Sequence, residues 1–314
     1  MATAHASHAA RARRPRRDDE TAEFAGVRIT HADRVLFAGQ GVTKRSLADY
    51  YLSVADRMLP HIVGRPLALV RCPQGSGKEC FFQKHANPGW PDAFHKVRIK
   101  EKSATRDYLY IEDEQGLMAA VQMGVLELHL WGCRADRVEL PDRMVFDFDP
   151  DEGLAFAKVK QAARDMRTRL KTLGLESFPM VTGGKGIHVV VPVARRHTWD
   201  EHRAFAELLA RAMAEEEPER FVATMSKAKR KGRIFIDWLR NERGSTAIAP
   251  YSPRAKLEAS VAVPVSWTEL SRIESANAFT IPLVLQRIKR KTDPWSGYFA
   301  TRQKISKEAL RFFT

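Results

Sequence analysis

The alternation of apolar and polar residues predicts an α+β protein in which short strands and amphipathic helices follow one another. Apolar residues recur every three or four positions over 44–59, which predicts a helix that Thr43 caps and Pro60 stops. Residues 126–131 instead alternate strictly, as in a half-buried strand, and place His129 on the polar face. Neither pattern by itself indicates a function.

The strand Met144–Asp149 carries the clearest chemical signal. Side chains alternate across a strand, so Phe146 and Phe148 enter a core while Asp147 and Asp149 emerge together on the other face. Two carboxylates about 7 Å apart, at a rise of roughly 3.3 Å per residue, repel each other unless a cation lies between them. Such a pair is typical of an Mg²⁺ or Mn²⁺ site. The alternative is a solvated strand face, or acids that cap a following helix.

A later strand, residues 234–237, supplies a third acid. Its two isoleucines share one face, which leaves Asp237 on the other face as the natural third metal ligand. Arg240 and Arg254 follow in a loop, and a planar guanidinium group can bind two phosphate oxygens at once.

A glycine-rich turn, residues 183–186, joins two predicted strands. Its three glycines allow positive φ and could turn backbone amides towards an anion, while Lys185 adds a charge and His188 is the one polar side chain of the next strand. A turn of this kind is weak evidence alone. Together with the paired aspartates and a basic chain, it predicts a binding site for a triphosphate.

Two further positions have two interpretations each. Lys44 lies in the first turn of the predicted helix, where the dipole disfavours a cation, so either a bound anion offsets that cost or the lysine is simply solvated. Phe81 and Phe82 lie beside basic residues, so one of them forms a stacking surface for a base, or both are buried between layers. The nearby Gly-Ser-Gly-Lys run lacks the spacing of a phosphate-binding loop and fits a hairpin turn.

Composition favours a globular protein with a polyanionic partner. The chain has 314 residues, 44% of them hydrophobic, and no apolar run of about 18 residues that would span a membrane. The net charge is +14; five arginines against three acids leave +2 in the first 20 residues, so the remainder carries +12. Such a charge favours nucleic acid, although a basic protein without that ligand is the alternative. Residues 1–22 are predicted to be a disordered basic tail.

The three cysteines, Cys72, Cys80 and Cys133, form no metal-binding spacing. We therefore expect reduced thiols and a cytoplasmic protein.

Three motifs occur together and in order: Phe146–Pro150 (FDFDP), Thr182–His188 (TGGKGIH) and Phe235–Arg240 (FIDWLR). With these, the chain resembles the polymerase domain of bacterial ATP-dependent DNA ligase D, in the archaeo-eukaryotic primase superfamily. The resemblance runs from about residue 25 to the C-terminus. It implies a primase-polymerase fold of mixed and antiparallel sheets flanked by helices. A single domain over 23–314 would contain an N-terminal part, about 23–135, and an RRM-like catalytic part, about 136–300.

The resemblance also implies a function, namely gap filling and primer extension in bacterial non-homologous end joining. The substrates would be gapped or broken DNA with a 5′-phosphate and nucleoside triphosphates, ribonucleotides preferred, with two Mn²⁺ or Mg²⁺ ions. Ku and a separate ATP-dependent ligase would be partners at the nucleoid, because no Lys-x-Asp-Gly ligase motif occurs and the chain looks like a stand-alone polymerase. No membrane would be involved.

Site residues are carried over by matching position. The metals would be held by Asp147, Asp149 and Asp237. The incoming nucleotide would be contacted by His129, Thr182, Lys185, His188, Arg240 and Arg254. The 5′-phosphate and the DNA end would be bound by Arg34, Lys44, Phe81 and Phe82. Thr182 stands where the family usually has Ser, which puts the contact with the sugar, and hence the ribose preference, in question.

Two other functions use the same residues. A metal-dependent nuclease or phosphoesterase would shorten DNA and need no nucleoside triphosphate, whereas a non-catalytic subunit would only bind DNA ends, with structural acids. Extension, shortening or binding alone on a gapped duplex would distinguish the three.

Overall fold

The computed structural model describes residues 21–306. The strands are β1 (Ala22–Phe24), β2 (Val27–Ile29), β3 (Val35–Phe37), β4 (Val42–Thr43), β5 (Leu67–Arg71), β6 (Phe81–Gln83), β7 (His95–Lys100), β8 (Thr105–Tyr110), β9 (Val125–Leu130), β10 (Arg143–Pro150), β11 (Phe178–Val181), β12 (Ile187–Pro192), β13 (Phe221–Val222), β14 (Ile234–Asp237), β15 (Ala247–Ile248) and β16 (Val263–Pro264). The helices are α1 (Lys44–Ile62), α2 (Glu114–Gln122), α3 (Phe156–Thr172), α4 (Trp199–Glu216), α5 (Trp267–Leu270) and α6 (Ile281–Arg290). The predicted tail over 1–22 lies outside the described residues except for its last two positions, where β1 begins.

A six-stranded sheet in the order β13-β14-β10-β12-β11-β16 forms the C-terminal half. Its pairs are antiparallel except β13 with β14. The run β10-α3-β11-β12-α4-β14 gives the spatial order β14-β10-β12-β11, which is the split βαββαβ arrangement of RRM-like domains. The strand with Asp147 is therefore central and has a neighbour on each side.

The two faces of this sheet differ. Phe146 and Phe148 are fully buried in the main hydrophobic cluster, which also contains Val159 of α3 and Phe205 of α4. The opposite face carries a smaller apolar cluster that includes Val145, next to a second sheet in the order β15-β9-β5-β6. The prediction for β10 is thus confirmed: its phenylalanines enter the core and its aspartates share the other face.

Among the helices of residues 21–306, none combines the length and the apolar content that a bilayer crossing requires.

Helix α1 does not stop at Pro60, as the sequence predicted, but continues to Ile62. Proline removes one backbone donor, which costs most in a helix interior. Here the last turn is held by tertiary packing, because His61 and Ile62 are buried. The amide of Val63 still reaches the carbonyl of Leu59 at 2.9 Å. The predicted cap is confirmed, since the Thr43 hydroxyl accepts a bond from the Ser46 amide.

The prediction of three reduced cysteines is wrong for two of them. Cys72 and Cys80 form a disulfide across the loop that joins β5 to β6, and only Cys133 is free and buried within the described residues. No local spacing indicates this pair, because the two cysteines are eight residues apart and meet only when β5 and β6 pair as antiparallel neighbours.

Reducing this disulfide should destabilise the protein. A cross-link over a loop of eight residues removes conformational entropy from the unfolded chain and contributes about 2 kcal/mol. We expect the free energy of unfolding in denaturant to fall by that amount with a reducing agent, or in the double variant C72S/C80S. The variant C133S serves as control and should keep the full redox dependence. An unfolding midpoint that ignores the reducing agent would contradict the cross-link.

Candidate active site

Antiparallel pairing brings residues from three motifs side by side. In the register of the sheet, Asp147 of β10 lies directly opposite Asp237 of β14 on one side and His188 of β12 on the other. Asp149 follows two residues along the same face of β10. Asp147 and Asp237, which are 90 positions apart in the chain, are therefore neighbours because of strand register alone.

A guanidinium group lies between two of the carboxylates. Arg240 places Nη2 3.1 Å from Oδ2 of Asp147 and Nε 3.1 Å from Oδ2 of Asp237. Burial opposes the ionisation of Asp147, but His188 and Arg240 lower its pKa to about 2. Since arginine keeps its charge, Asp147 stays a carboxylate even where His188 is neutral.

The other two acids are less readily ionised. Burial raises the pKa of Asp237 to about 6, with the charge of Asp147 adding to the rise and Arg240 opposing it. Burial, and then the charge of Asp147, also raise the pKa of Asp149, which is bonded to Nη1 of Arg230 at 3.4 Å. Mutual repulsion among these carboxylates means that added positive charge stabilises all three.

No group of three or more His, Cys, Asp and Glu side chains within residues 21–306 is gathered closely enough to hold a metal ion. The reason is visible in the contacts, because Arg240 occupies the space between Asp147 and Asp237 while Arg230 binds Asp149. The donor chemistry nevertheless fits a hard divalent cation: carboxylate oxygens on a fixed backbone, with a cation already drawn between two of them.

His188 lies beside these acids on the buried face. Its Nε2 is 3.5 Å from Oδ1 of Asp147, and its Nδ1 has no hydrogen-bond partner among the described residues. Burial lowers the pKa of His188, so the imidazole is neutral at neutral pH. It can therefore gain a proton or a hydrogen bond when negative charge enters the site.

The glycine turn differs from the prediction in how it uses its glycines. Only Gly183 has a positive φ, of 67°, whereas Gly186 is needed for close approach, since a Cβ there would lie 2.4 Å from the Phe148 carbonyl oxygen. Two of the four turn amides are also occupied, because Gly183 donates to the Ala276 carbonyl and Gly184 donates to the Thr182 hydroxyl. Those two amides are not available to an anion, to which the turn also offers the charge of Lys185.

Thr182 is buried and holds the shape of this turn. Its hydroxyl donates to the Gly186 carbonyl at 3.0 Å and accepts from the Gly184 amide at 3.2 Å. Both bonds are local, which leaves the hydroxyl less free for a ligand than the sequence suggested. Lys185 has a half-exposed amine 3.7 Å from Glu152.

The opposite wall of the site comes from the second sheet. Nε2 of His129 on β9 donates to the Glu127 carboxylate at 2.8 Å, and Glu127 also accepts from the Ala255 amide at 2.6 Å and lies 3.5 Å from Arg254. Burial works against the ionisation of Glu127, but the bonds from His129 and Ala255 and the charge of Arg254 lower its pKa overall. Glu127 thus holds in place two of the six residues that were predicted to contact the nucleotide, namely His129 and Arg254.

The two walls enclose a cavity of about 200 Å³. Every residue predicted to bind the nucleotide lines it, together with two of the three predicted metal ligands: His129, Asp147, Asp149, Thr182, Lys185, His188, Arg240 and Arg254.

A second cavity, of about 180 Å³, lies at the start of α1 and is lined by Arg34, Lys44 and Arg71. Lys44 is buried, and its amine donates to the carbonyl of Thr30 and to both oxygens of Gln122. Burial lowers the pKa of Lys44 to about 8, and the neighbouring charge of Arg34 adds to this effect. The lysine is therefore not simply solvated.

The helix terminus itself is not available to an anion. Amides of the first turn are already bonded, since Lys44 donates to the Arg34 carbonyl, Arg45 to the Ala32 carbonyl and Ser46 to the Thr43 hydroxyl. The start of α1 therefore has no free first-turn amide among Lys44, Arg45 and Ser46 with which to bind an anion. An anion in this cavity would be bound by side chains.

Phe81 and Phe82 connect the two cavities. Both rings are exposed, by 44% and 58%, because β6 is an edge strand, so the interpretation in which both are buried is wrong. The guanidinium group of Arg71, which lines the second cavity, lies 5.3 Å from the Phe81 ring, and the Phe82 ring lies 5.4 Å from His129. An aromatic surface thus runs from one cavity to the other.

Three contributors were not predicted from the sequence. Glu127 shares a strand face with His129, and that spacing could have indicated a pair. Arg230 lies in a basic run, residues 227–233, and Arg71 is the last residue of β5, so no local signal distinguishes either from its neighbours. Their roles follow from tertiary contacts with Asp149 and Phe81.

This fold and this arrangement of acids define a primase-polymerase, a nucleotidyltransferase built on an RRM-like sheet. A family model described as "LigD, primase-polymerase domain" matches residues 43–295. The chain belongs to that family. The predictions of the family, of the primase-polymerase fold and of a polymerase are confirmed.

Individual relatives agree with the family model. The chain is 39% identical over 287 residues to the "Multifunctional non-homologous end joining protein LigD" of Pseudomonas aeruginosa, covering 91% of this chain and 34% of that protein. It is 36% identical to the protein of the same name from Mycolicibacterium smegmatis, covering 79% and 33%. The chain therefore spans about a third of the length of these relatives, and the prediction of a stand-alone polymerase stays a prediction.

A solved structure is also similar. The "Polymerase Domain from Mycobacterium tuberculosis Ligase D in complex with DNA" superposes with a TM-score of 0.82 at 32% identity, covering 87% of this chain and 98% of that one.

Proposed function

We propose that this chain binds broken DNA ends and extends the primer strand from nucleoside triphosphates, as a gap-filling polymerase in non-homologous end joining. The observation that carries the proposal is the register that sets Asp147 between Asp237 and His188, facing a cationic cavity. Such a site can bind a triphosphate through its cations and a divalent metal ion through its carboxylates, as the attack of a hydroxyl group on the triphosphate requires.

The cations of the cavity bind and orient the triphosphate. Lys185, Arg240 and Arg254 supply the positive charge, and Glu127 keeps Arg254 and His129 in place. His188 gives a hydrogen bond where charge grows on the phosphate oxygens. Arg240 turns towards the triphosphate when it enters, since the phosphates add negative charge beside a guanidinium group that two carboxylates now share.

Two Mn²⁺ or Mg²⁺ ions would be held by Asp147, Asp149 and Asp237. When bound, such ions lower the pKa of an attacking hydroxyl and stabilise the leaving group. The acids would hold them best when all three are ionised, and Asp237, whose pKa burial raises to about 6, loses its charge as the pH falls through that value.

The second cavity binds the 5′-phosphate of the downstream strand. Arg34 and Lys44 face it, and neither is paired with a carboxylate in the described residues. Phe81 and Phe82 then stack against bases between this cavity and the nucleotide site.

The test is a gapped duplex with a 5′-phosphate, incubated with Mn²⁺ and nucleoside triphosphates. Templated extension supports the proposal. Shortening of the strands would instead indicate a nuclease, and binding without either reaction a DNA-end-binding subunit. The same substrate with ribo- and deoxyribonucleotides measures the sugar preference, for which the local bonds of Thr182 predict a smaller contribution than a freely directed hydroxyl would make.

The preference for a 5′-phosphate should depend on pH through Lys44. Its pKa of about 8 means that the amine is charged at pH 7 and loses its charge as the pH rises through 8 to 9. We expect the affinity ratio of phosphorylated to unphosphorylated gapped DNA to fall about tenfold over that range, since a charged hydrogen bond contributes roughly 1.5–3 kcal/mol. Equal pH dependence on the two substrates would contradict this role.

We further propose that the protein works at the nucleoid in the cytoplasm, with Ku and an ATP-dependent ligase as partners. The support is the resemblance and the basic charge of +14.

A further inference from the structure

A cavity of about 660 Å³, larger than that of the nucleotide site, lies where β10 begins and β12 ends. Asp142, which lines it, is five residues before Asp147, or about 17 Å along the strand at roughly 3.3 Å per residue. Pro192, which lines the cavity, lies opposite Arg143 in the register, and Arg143, Val145 and Asp147 alternate onto one face of β10. This cavity and the nucleotide site therefore lie along the same face of the sheet.

The lining of this cavity is strongly cationic. Six positive side chains take part: Arg65, Arg134, Arg195, Arg196, Arg302 and Lys304. Only one carboxylate, that of Asp142, lines the cavity with them, and Asp136 outside it pairs with Arg195 at 2.6 Å. The six cations together with Asp142 and Asp136 therefore have a net charge of about +4.

The single carboxylate is shared among buried guanidinium groups. Asp142 accepts two bonds from Arg65, at 2.6 and 2.9 Å, and lies 3.4 Å from Arg134. Arg143 also interacts with it, yet all three nitrogens of Arg143 are buried without a hydrogen-bond partner in the described residues. The floor of the cavity thus carries more positive than negative charge.

The rim holds the cations that are free to bind. Arg196, Arg302 and Lys304 are exposed, and none pairs with a carboxylate within residues 21–306. Beside them the Phe299 ring is 46% exposed. Exposed cations next to an exposed aromatic ring are the features with which proteins bind a single strand of nucleic acid, through phosphates and stacked bases.

We propose that this cavity, which we call the distal basic cavity, is a second DNA-binding site that holds phosphates of a single-stranded segment. The placement of the unpaired cations at the rim favours a strand that crosses the opening over a small enclosed anion. This inference extends the proposed function, because it takes DNA to be the partner.

The test compares two variants that lose the same charge. R196A/R302A/K304A removes the rim cations, whereas K171A/K289A/R290A removes three exposed cations of α3 and α6 that have no ion pair in the described residues. The probe is a labelled single strand of about 20 nucleotides, longer than the roughly 4–16 nucleotides that a single-strand-binding fold covers. Binding is measured by fluorescence anisotropy over a range of salt concentrations, and thermal unfolding checks that each variant is folded.

We expect the rim variant to bind about tenfold more weakly and its salt slope to fall by about 2, since each lost phosphate contact lowers the slope by roughly 0.7. The control variant should change affinity less than about threefold, because it removes only long-range attraction. F299A should weaken binding with little change in slope, since stacking releases no counterions.

Equal binding by the two triple variants would overturn the inference. So would a rim variant that loses affinity for a nucleoside triphosphate but not for the strand, because the cavity would then bind free nucleotide. Failure of the proposed function is a separate result, namely wild-type protein that binds DNA but extends no primer.

Discussion

The variant D147N should lose primer extension by at least about a thousandfold while binding DNA as the wild type does. Asp147 is the central acid, opposite Asp237 in the register and bonded to Arg240. Charge stabilisation by a metal site contributes several kcal/mol to a transition state, and each 1.36 kcal/mol is a factor of ten in rate. Asparagine keeps the shape of the side chain, so the loss would reflect charge. The measurement is single-turnover extension on gapped DNA.

The matched control for this prediction is E152Q. It removes one negative charge from the same region, but Glu152 is exposed, and its ion pair with Lys185, at 3.7 Å, is a surface pair. We expect its extension rate to stay within about threefold, as surface pairs contribute roughly 0–1 kcal/mol. Full activity of D147N with unchanged metal dependence would show that the acids are structural.

What could be predicted from the sequence is what a local pattern decides. The alternation of Phe146 to Asp149 fixed which side chains enter the core, because a strand has a period of two. The capping box of α4, with Thr198 and Glu201, is likewise a local signal and is present.

What could not be predicted depends on contacts between distant residues. No spacing indicates that Asp237 lies opposite Asp147, since register is set when two strands pair. Nor does a local pattern show that Cys72 meets Cys80 or that the first turn of α1 already uses its amides. The family motifs supplied the first of these relationships but not the other two.

The contacts of Arg240 with the acids are also set by strand pairing and not by a local pattern, and they affect how the site binds a nucleotide. The sequence predicted that this arginine clamps phosphate, and the structure places it between Asp147 and Asp237, 3.1 Å from each. It therefore occupies the position where a divalent cation is expected. Arg240 and a metal ion should compete for the same carboxylates until the triphosphate offers the arginine another anion.

The variant R240Q should consequently move two affinities in opposite directions. Without nucleotide, the carboxylates lose a competing cation, and we expect Mn²⁺ to bind about tenfold more tightly, as a charged hydrogen bond contributes roughly 1.5–3 kcal/mol. With nucleotide, the triphosphate loses a clamp, and its KM should rise about tenfold. Calorimetric titration of Mn²⁺ and steady-state extension measure the two effects.

The control is R243Q, which removes an arginine three residues further on that binds Glu139 at 2.6 Å instead of the acids. It should alter neither affinity by more than about twofold, because that pair is partly exposed. A fall in both affinities in R240Q would mean that Arg240 organises the acids and does not compete for them. Opposite shifts would instead identify Arg240 as the group that keeps the acids neutralised until the triphosphate arrives, so that cation and nucleotide bind together.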